Sequence, residues 1–197
     1  MKFFAACLLA LTLIAGLPHM ARAETKTAVF AGGCFWCMES DFEDHKGISK
    51  VVSGYTGGHT VNPTYEEVSS GATGHFESVQ VSYDPAVVTY PELLTVFWQN
   101  VDPFDAEGQF CDKGSQYHAA IFYGDDEEKK AAEESLAKVE KKFGQPVQTL
   151  LKPASTFYPA EDYHQDYHTK NAFHYQMYRS GCGRDARTKE IWGGDKK

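Results

Sequence analysis

Three things are scarce in this 197-residue chain. The longest apolar run, Phe3 to Leu17, covers 15 residues, short of the roughly 20 that a membrane-spanning helix needs. There is no basic surplus: 19 Lys and Arg stand against 27 Asp and Glu. The basic residues are scattered or helix-borne, and Lys196-Lys197 is too short a cluster to grip a polyanion, so nucleic acid is excluded as a partner. Only one Cys-x-x-Cys, Cys34 to Cys37, is present; without a second pair it is a weak signature for structural zinc. Beyond residue 24 there is no repeat, low-complexity tract or long linker, which leaves a single domain.

What is present at the start is an export pattern. Lys2 supplies the positive end, the apolar run follows, and Ala21-Arg22-Ala23 offers a small-residue cleavage site. The chain is therefore expected to divide into a signal, residues 1–23, and one domain, residues 24–197. The mature protein should be periplasmic or secreted, without stable membrane association, and a monomer. Cleavage takes away Cys7, Lys2 and Arg22, leaving 17 basic against 27 acidic residues and a formal charge of −10. Four cysteines remain, Cys34, Cys37, Cys111 and Cys182, in a compartment where disulfides persist.

Strand-like and helix-like segments alternate. Thr27 to Ala31 reads as a strand, and Phe35 to Asp44 as a helix with Phe35, Met38 and Phe42 on one face. Val51 to Tyr55 is a second strand, Asn62 to Val68 a short helix, and Phe76 to Tyr83 an alternating strand. Thr89-Tyr90-Pro91-Glu92 fits a capping box with an early proline, opening a helix to Val101. Ala119 to Tyr123 reads as a buried strand, followed by a helix from Asp126 to Phe143 with the stripe Ala132, Leu136, Val139 and Phe143, stopped at Gly144. Val147 to Leu151 suggests another strand and Glu161 to Tyr178 an aromatic-rich helix. This alternation predicts a mixed α/β fold with helices packed on a central sheet.

Two residues carry chemistry. Cys34 follows Gly32-Gly33 and opens a helix, where free N–H groups and the helix dipole favour a thiolate, and the glycines leave room beside the sulfur. Trp36 lies off the apolar stripe of that helix and suits a small apolar pocket. In the strand from Phe76, period two puts Glu77 on the same side as Val79, Val81 and Tyr83. A carboxyl there is either exposed at the strand tip or buried; if buried it keeps its proton and serves as an acid.

Taken in order, Gly33 to Cys37, Gly54-Tyr55 with Asn62 to Tyr65, Gly74-His75-Phe76-Glu77, Gly114-Ser115-Gln116-Tyr117 and Glu161 to Tyr167 resemble the A-type peptide methionine sulfoxide reductases. The resemblance runs from about Thr27 to Gly183. It implies a two-layer α/β sandwich with a mixed sheet, flanking helices and a ferredoxin-like core. It also implies reduction of methionine S-sulfoxide, free or in proteins, as a repair of oxidised proteins. Matched position by position, Cys34 is the nucleophile, Glu77 the acid, Tyr65 and Tyr117 hydroxyl donors, Asp112 a supporting carboxylate, and Phe35 with Trp36 the methyl pocket. The resemblance implies no metal or organic cofactor, and an external thioredoxin-like dithiol reductant for turnover.

The resolving thiol has two candidates. The family tail often carries glycine-tyrosine-cysteine after asparagine-proline, whereas this chain has Asn171-Ala172. Cys182, its distal cysteine, is the favoured resolving residue, with Cys37 the alternative; Cys111, where many members have asparagine, has no assigned role. Two rival readings use the same thiols. One is a thioredoxin-like thiol-disulfide oxidoreductase acting through Cys34 and Cys37. The other is a disulfide-stapled or metal-binding module using Cys34, Cys37, His164 and His168, although histidines on a polar helix face are usually only solvated.

Overall fold

The computed structural model describes residues 25–193; the signal segment, Cys7 and the last four residues lie outside the described residues. In chain order the strands are β1 (Lys26–Ala31), β2 (Ile48–Thr56), β3 (Phe76–Tyr83), β4 (Gly108–Gln109), β5 (Asp112–Lys113), β6 (Ala120–Tyr123), β7 (Leu150–Pro153) and β8 (Tyr158–Pro159). The helices are α1 (Phe35–Glu43), α2 (Tyr65–Ser69), α3 (Tyr90–Gln99), α4 (Asp126–Phe143), α5 (Tyr167–Lys170), α6 (Ala172–Gly181) and α7 (Arg184–Trp192). Six strands form one sheet in the order β7-β6-β1-β3-β2-β8, while β4 and β5 make a separate ribbon. All pairings in the large sheet are antiparallel except β6 with β7. The sheet is mixed and flanked by helices, as the alternating pattern predicts.

Period two sorts the sheet into two faces. Ala28 and Phe30 of β1 join Val79, Val81 and Tyr83 of β3 in the main core, closed by Phe42 of α1 and Leu93, Leu94 and Phe97 of α3. Ala31, Phe76, Ala120 and Phe122 form a smaller cluster. In the register, Phe30 faces Val79 and Tyr55 faces Glu77. Two residues beyond the Phe30–Val79 pair, Glu77 therefore stands level with the end of β1, where the chain turns into α1.

Local signals explain the firm elements. The Glu92 carboxylate accepts from the Thr89 N–H at 2.7 Å to open α3, and Asp125 accepts from the Glu128 N–H at 2.8 Å to open α4, which ends on Gly144 in the left-handed region. Three expectations shift. The short helix begins at Tyr65 rather than Asn62, because Asn62 takes φ 48° and Thr64 becomes the cap. The strand expected at Val147 is displaced to Leu150, since the Gln148 N–H is drawn to the Pro103 carbonyl at 2.7 Å.

The helix expected over Glu161 to Tyr178 is broken into a 3-10 turn at Asp162–His164, then α5 and α6. The reason is Gln165: its amide accepts from the Ser53 N–H at 3.0 Å and donates to the Ser53 and Ala160 carbonyls at 2.9 Å. Its side chain thus bonds to β2 as a strand would, and Asp166 follows with φ 52°. Helix α7 has no counterpart in the sequence pattern. Its buried residues Arg184, Thr188 and Trp192 recur every four positions, a stripe too polar to register as apolar periodicity.

Phe30 has no exposed surface and stacks on Phe42 at 5.2 Å and Phe97 at 5.5 Å between ring centres. Phe30→Ala should cost about 3–5 kcal/mol, read as a lower urea midpoint at unchanged slope. A loss under about 1 kcal/mol would mean that this aromatic stack is not the centre of the core.

Candidate active site

Cys34 is the capping residue of α1, reached from β1 through Gly32 and Gly33. Gly33 takes φ 80°, and a Cβ there would stand 2.7 Å from the Gln109 Cβ. Gly33 thus takes the positive φ that glycine permits, and both glycines are also required by packing, since a Cβ on either would meet Met38, Val101 or Gln109. The thiol borders a cavity of about 70 Å³ lined by Cys34, Phe35, Trp36, Tyr65, Glu77, Asp112, Tyr117 and Tyr178. Pockets for whole small molecules run to about 300–1,000 Å³, so this one admits only the end of a side chain. All the residues matched to the active site, apart from Cys182 and the alternative Cys37, meet in that cavity.

Glu77 is not at an exposed tip. It is 2 % exposed, and its Oε2 accepts from the Phe35 N–H at 3.1 Å. Burial pushes its carboxyl up to about 8, helped by the charges of Asp112 and Cys37 and opposed by the Phe35 N–H. At neutral pH it holds a proton beside the sulfur, as a general acid must. Burial likewise raises Tyr65, to about 12, and Tyr117; both hydroxyls stay protonated and can donate. Tyr65 is held in place because its N–H donates to Glu161 Oε1 at 2.9 Å while Tyr55 donates to Glu161 Oε2 at 2.8 Å.

The thiolate expected at Cys34 needs correction. The helix start does not dominate: burial and a hydrogen bond to Cys37, with the charges of Cys37 and Glu77, push Cys34 well up, against a lowering bond from Tyr178. Cys37 is held down by its bond from Cys34, with Arg184 and Arg179 assisting against burial. Cys34 therefore rests as a thiol that shares its proton with Cys37. Both are free and buried. Cys182, the favoured resolving residue, is disulfide-bonded to Cys111.

Several contributors carry no mark in the sequence that singles them out. Tyr178 donates to Asp112 Oδ2 at 2.6 Å and reaches Cys34. Trp36 is stacked on Tyr167 with centres 3.7 Å apart and planes 5° off parallel. Its Nε1–H donates to His164 Nδ1 at 3.0 Å. His164, expected as a solvated helix residue, is buried and packs on Phe35 and Tyr65. Among the described residues, the groupings close enough for a metal ion are Cys111, Asp112 and Cys182, and Glu39, Glu43 and Asp166, not the Cys34, Cys37, His164 and His168 set. The signal for Tyr178 and Tyr167 is the aromatic density of Glu161 to Tyr178; which rings turn inward depends on the break at Gln165.

Comparison with known proteins agrees with this geometry. A family model described as peptide methionine sulfoxide reductase matches residues 26–196. A peptide methionine sulfoxide reductase MsrA of Listeria monocytogenes is 51% identical over 177 residues, which is 89% of this chain and all of that protein. The MsrA of Bacillus licheniformis is 53% identical over 172 residues, 86% of this chain and 95% of that one. Among solved structures, reduced Mxr1 of Saccharomyces cerevisiae superposes with a TM-score of 0.72 at 32% identity, covering 77% of this chain and 88% of that one.

The proton on Glu77 can be observed directly. Infrared difference spectra should show a protonated carboxyl band at pH 7 that fades with a midpoint near about 8 and is missing in Glu77→Gln. A band already lost by pH 6 would remove the acid from the site.

Proposed function

The chain belongs to the peptide methionine sulfoxide reductase family and is an oxidoreductase of that kind; from that premise we propose that it reduces the S epimer of methionine sulfoxide, free or in proteins, with Cys34 as nucleophile and Glu77 as acid. The observation that carries the proposal is a neutral, buried carboxyl in the same small cavity as the thiol. The methyl group enters against Phe35 and Trp36, and the sulfoxide oxygen turns toward Glu77, Tyr65 and Tyr117. Cys34 attacks the sulfur as the oxygen takes a proton from Glu77, and the carboxylate recovers one from the thiol. Oxygen and proton pass to Cys34, giving methionine and a sulfenic acid. Hydroxyl donors aimed at the oxygen stabilise the charge that develops on it.

Resolution follows from proximity. Cys37 is hydrogen-bonded to Cys34, and Arg184 and Arg179 favour its thiolate; attack on the sulfenic acid expels water and forms Cys34–Cys37. This supports Cys37 over Cys182 as first resolving residue. The exposed Cys111 and its partner Cys182 then serve a later step, carrying electrons from an external dithiol to a buried pair. A thioredoxin-type protein fits that role; yeast Mxr1 has been solved in complex with Trx2. A thioredoxin-like activity through Cys34 and Cys37 alone leaves Glu77, Tyr65 and Tyr117 without work. The signal pattern of residues 1–23 and the Cys111–Cys182 disulfide support action outside the cytoplasm.

Residues 24–197 assayed with each epimer of a capped methionine sulfoxide should reduce the S form, and Cys34→Ser should abolish that. Glu77→Gln should lower kcat by about 10²–10⁴-fold and remove the fall in rate above about pH 8. Reduction of both epimers at equal rate would sink the assignment. Sulfenic acid trapped in Cys37→Ser but not in Cys182→Ser supports the order of resolution, and the reverse result overturns it.

A further inference from the structure

We propose that the reduced Cys111 and Cys182 thiols, with Asp112, form a binding site for a zinc ion, exclusive with the disulfide and adjoining the active-site cavity. One ligand atom from each of the three residues lies within 4.8 Å of the others. Asp112 Oδ1 stands 3.8 Å from Cys111 Sγ, while Oδ2 is engaged by Tyr178. Two thiolates and one carboxylate leave a fourth tetrahedral position for water, the donor set of an open zinc site. At Zn–S distances of about 2.3 Å a tetrahedral ion separates its sulfurs by about 3.8 Å. Side-chain rotation reaches that spacing once the disulfide opens, because Cys111 lies on the exposed β4–β5 turn and Cys182 at the α6–α7 junction.

The surroundings fit such a site. Three anionic ligands give a zinc complex one net negative charge, and Arg184 lies alongside: its guanidinium is 4.7 Å from the centre of the Phe110 ring and its charge acts on Asp112. The exchange balances chemically. An external dithiol gives two electrons and two protons to Cys111–Cys182, and zinc then displaces the two thiol protons. Zinc would hold the exposed pair in its reduced form and bar it from delivering electrons to Cys34–Cys37. Bound metal thus arrests turnover by occupying the exposed pair, and it engages Asp112 in the wall of the cavity where the sulfoxide reacts. The effect on turnover rests on the relay role proposed for Cys111 and Cys182, but the metal site itself does not, and its primary readout is binding, not reduction of a sulfoxide.

The test uses residues 24–197 carrying Cys34→Ser and Cys37→Ser, so that Cys111 and Cys182 are the thiols left. Reduced and freed of reductant under nitrogen, this protein should take up one equivalent of Co²⁺ with thiolate-to-cobalt charge-transfer absorption, and Zn²⁺ should bleach it. The oxidised protein, the same chain with its disulfide intact, should bind none. Asp112→Asn should weaken uptake by about tenfold or more, and Cys182→Ser should abolish the band. No band in the reduced protein, or an equal band in the oxidised protein or in Cys182→Ser, overturns the proposal. Near-UV circular dichroism of each variant establishes that the fold is kept.

Discussion

The site depends on one buried hydrogen bond, from the Phe35 N–H to the Glu77 carboxyl. It joins the start of α1 to the head of β3 and fixes the acid at the base of the nucleophile's helix. Because that N–H is the first donor past Cys34, Glu77 occupies the place where the helix dipole would otherwise favour a thiolate. The same contact therefore positions the acid and denies Cys34 the field expected to ionise it. In the proposed reaction Glu77 gives its proton to the incoming oxygen and recovers one from the Cys34 thiol, while the Arg184 and Arg179 charges favour the thiolate of Cys37.

Much of this was legible in the chain, for identifiable reasons. Glu77 could be placed because strand alternation is strict and a carboxyl in a valine row stands out. The helix start at Thr89 could be read because capping is chemistry between near neighbours. What resisted reading was tertiary. No local pattern reveals that Gln165 bonds to the β2 backbone with its side chain, so the helix break and the inward turn of Tyr167 and Tyr178 could not be foreseen. The stripe of α7 is made of arginine, threonine and tryptophan, and its meaning comes from what it meets: Arg184 donates to the Gly32 and Asn100 carbonyls at 3.0 and 2.7 Å. Cys111 had no role in sequence because its partner lies 71 residues away.

Arg184 also shows how the two cysteine pairs are built into one piece. Its guanidinium holds the glycine turn under Cys34, lies against Phe110 beside Cys111, and starts the helix just past Cys182. Tyr178 makes a second link, from Cys34 to Asp112, one residue from Cys111 and four from Cys182. In the proposed scheme the buried pair, Cys34 and Cys37, does chemistry where water is scarce, and the pair that includes exposed Cys111 meets the external dithiol. A single shallow pair would have to do both, and a sulfenic acid open to solvent is open to further oxidation.

This arrangement has a cost with a defined sign. A carboxyl raised to about 8 in the folded protein from an ordinary 4.5 binds its proton more tightly folded than unfolded. Between those values the unfolded chain releases the proton first, so folding stability falls as pH rises through that window and is fullest below it. Glu39, buried on the inner side of α1 and raised to about 7 chiefly by desolvation, acts in the same direction. The penalty from Glu77 cannot be removed without removing the acid, since the desolvation that opposes its charge is what keeps the proton available. The aromatic core around Phe30 and the Arg184 contacts supply stability in the half of the molecule where that acid is held.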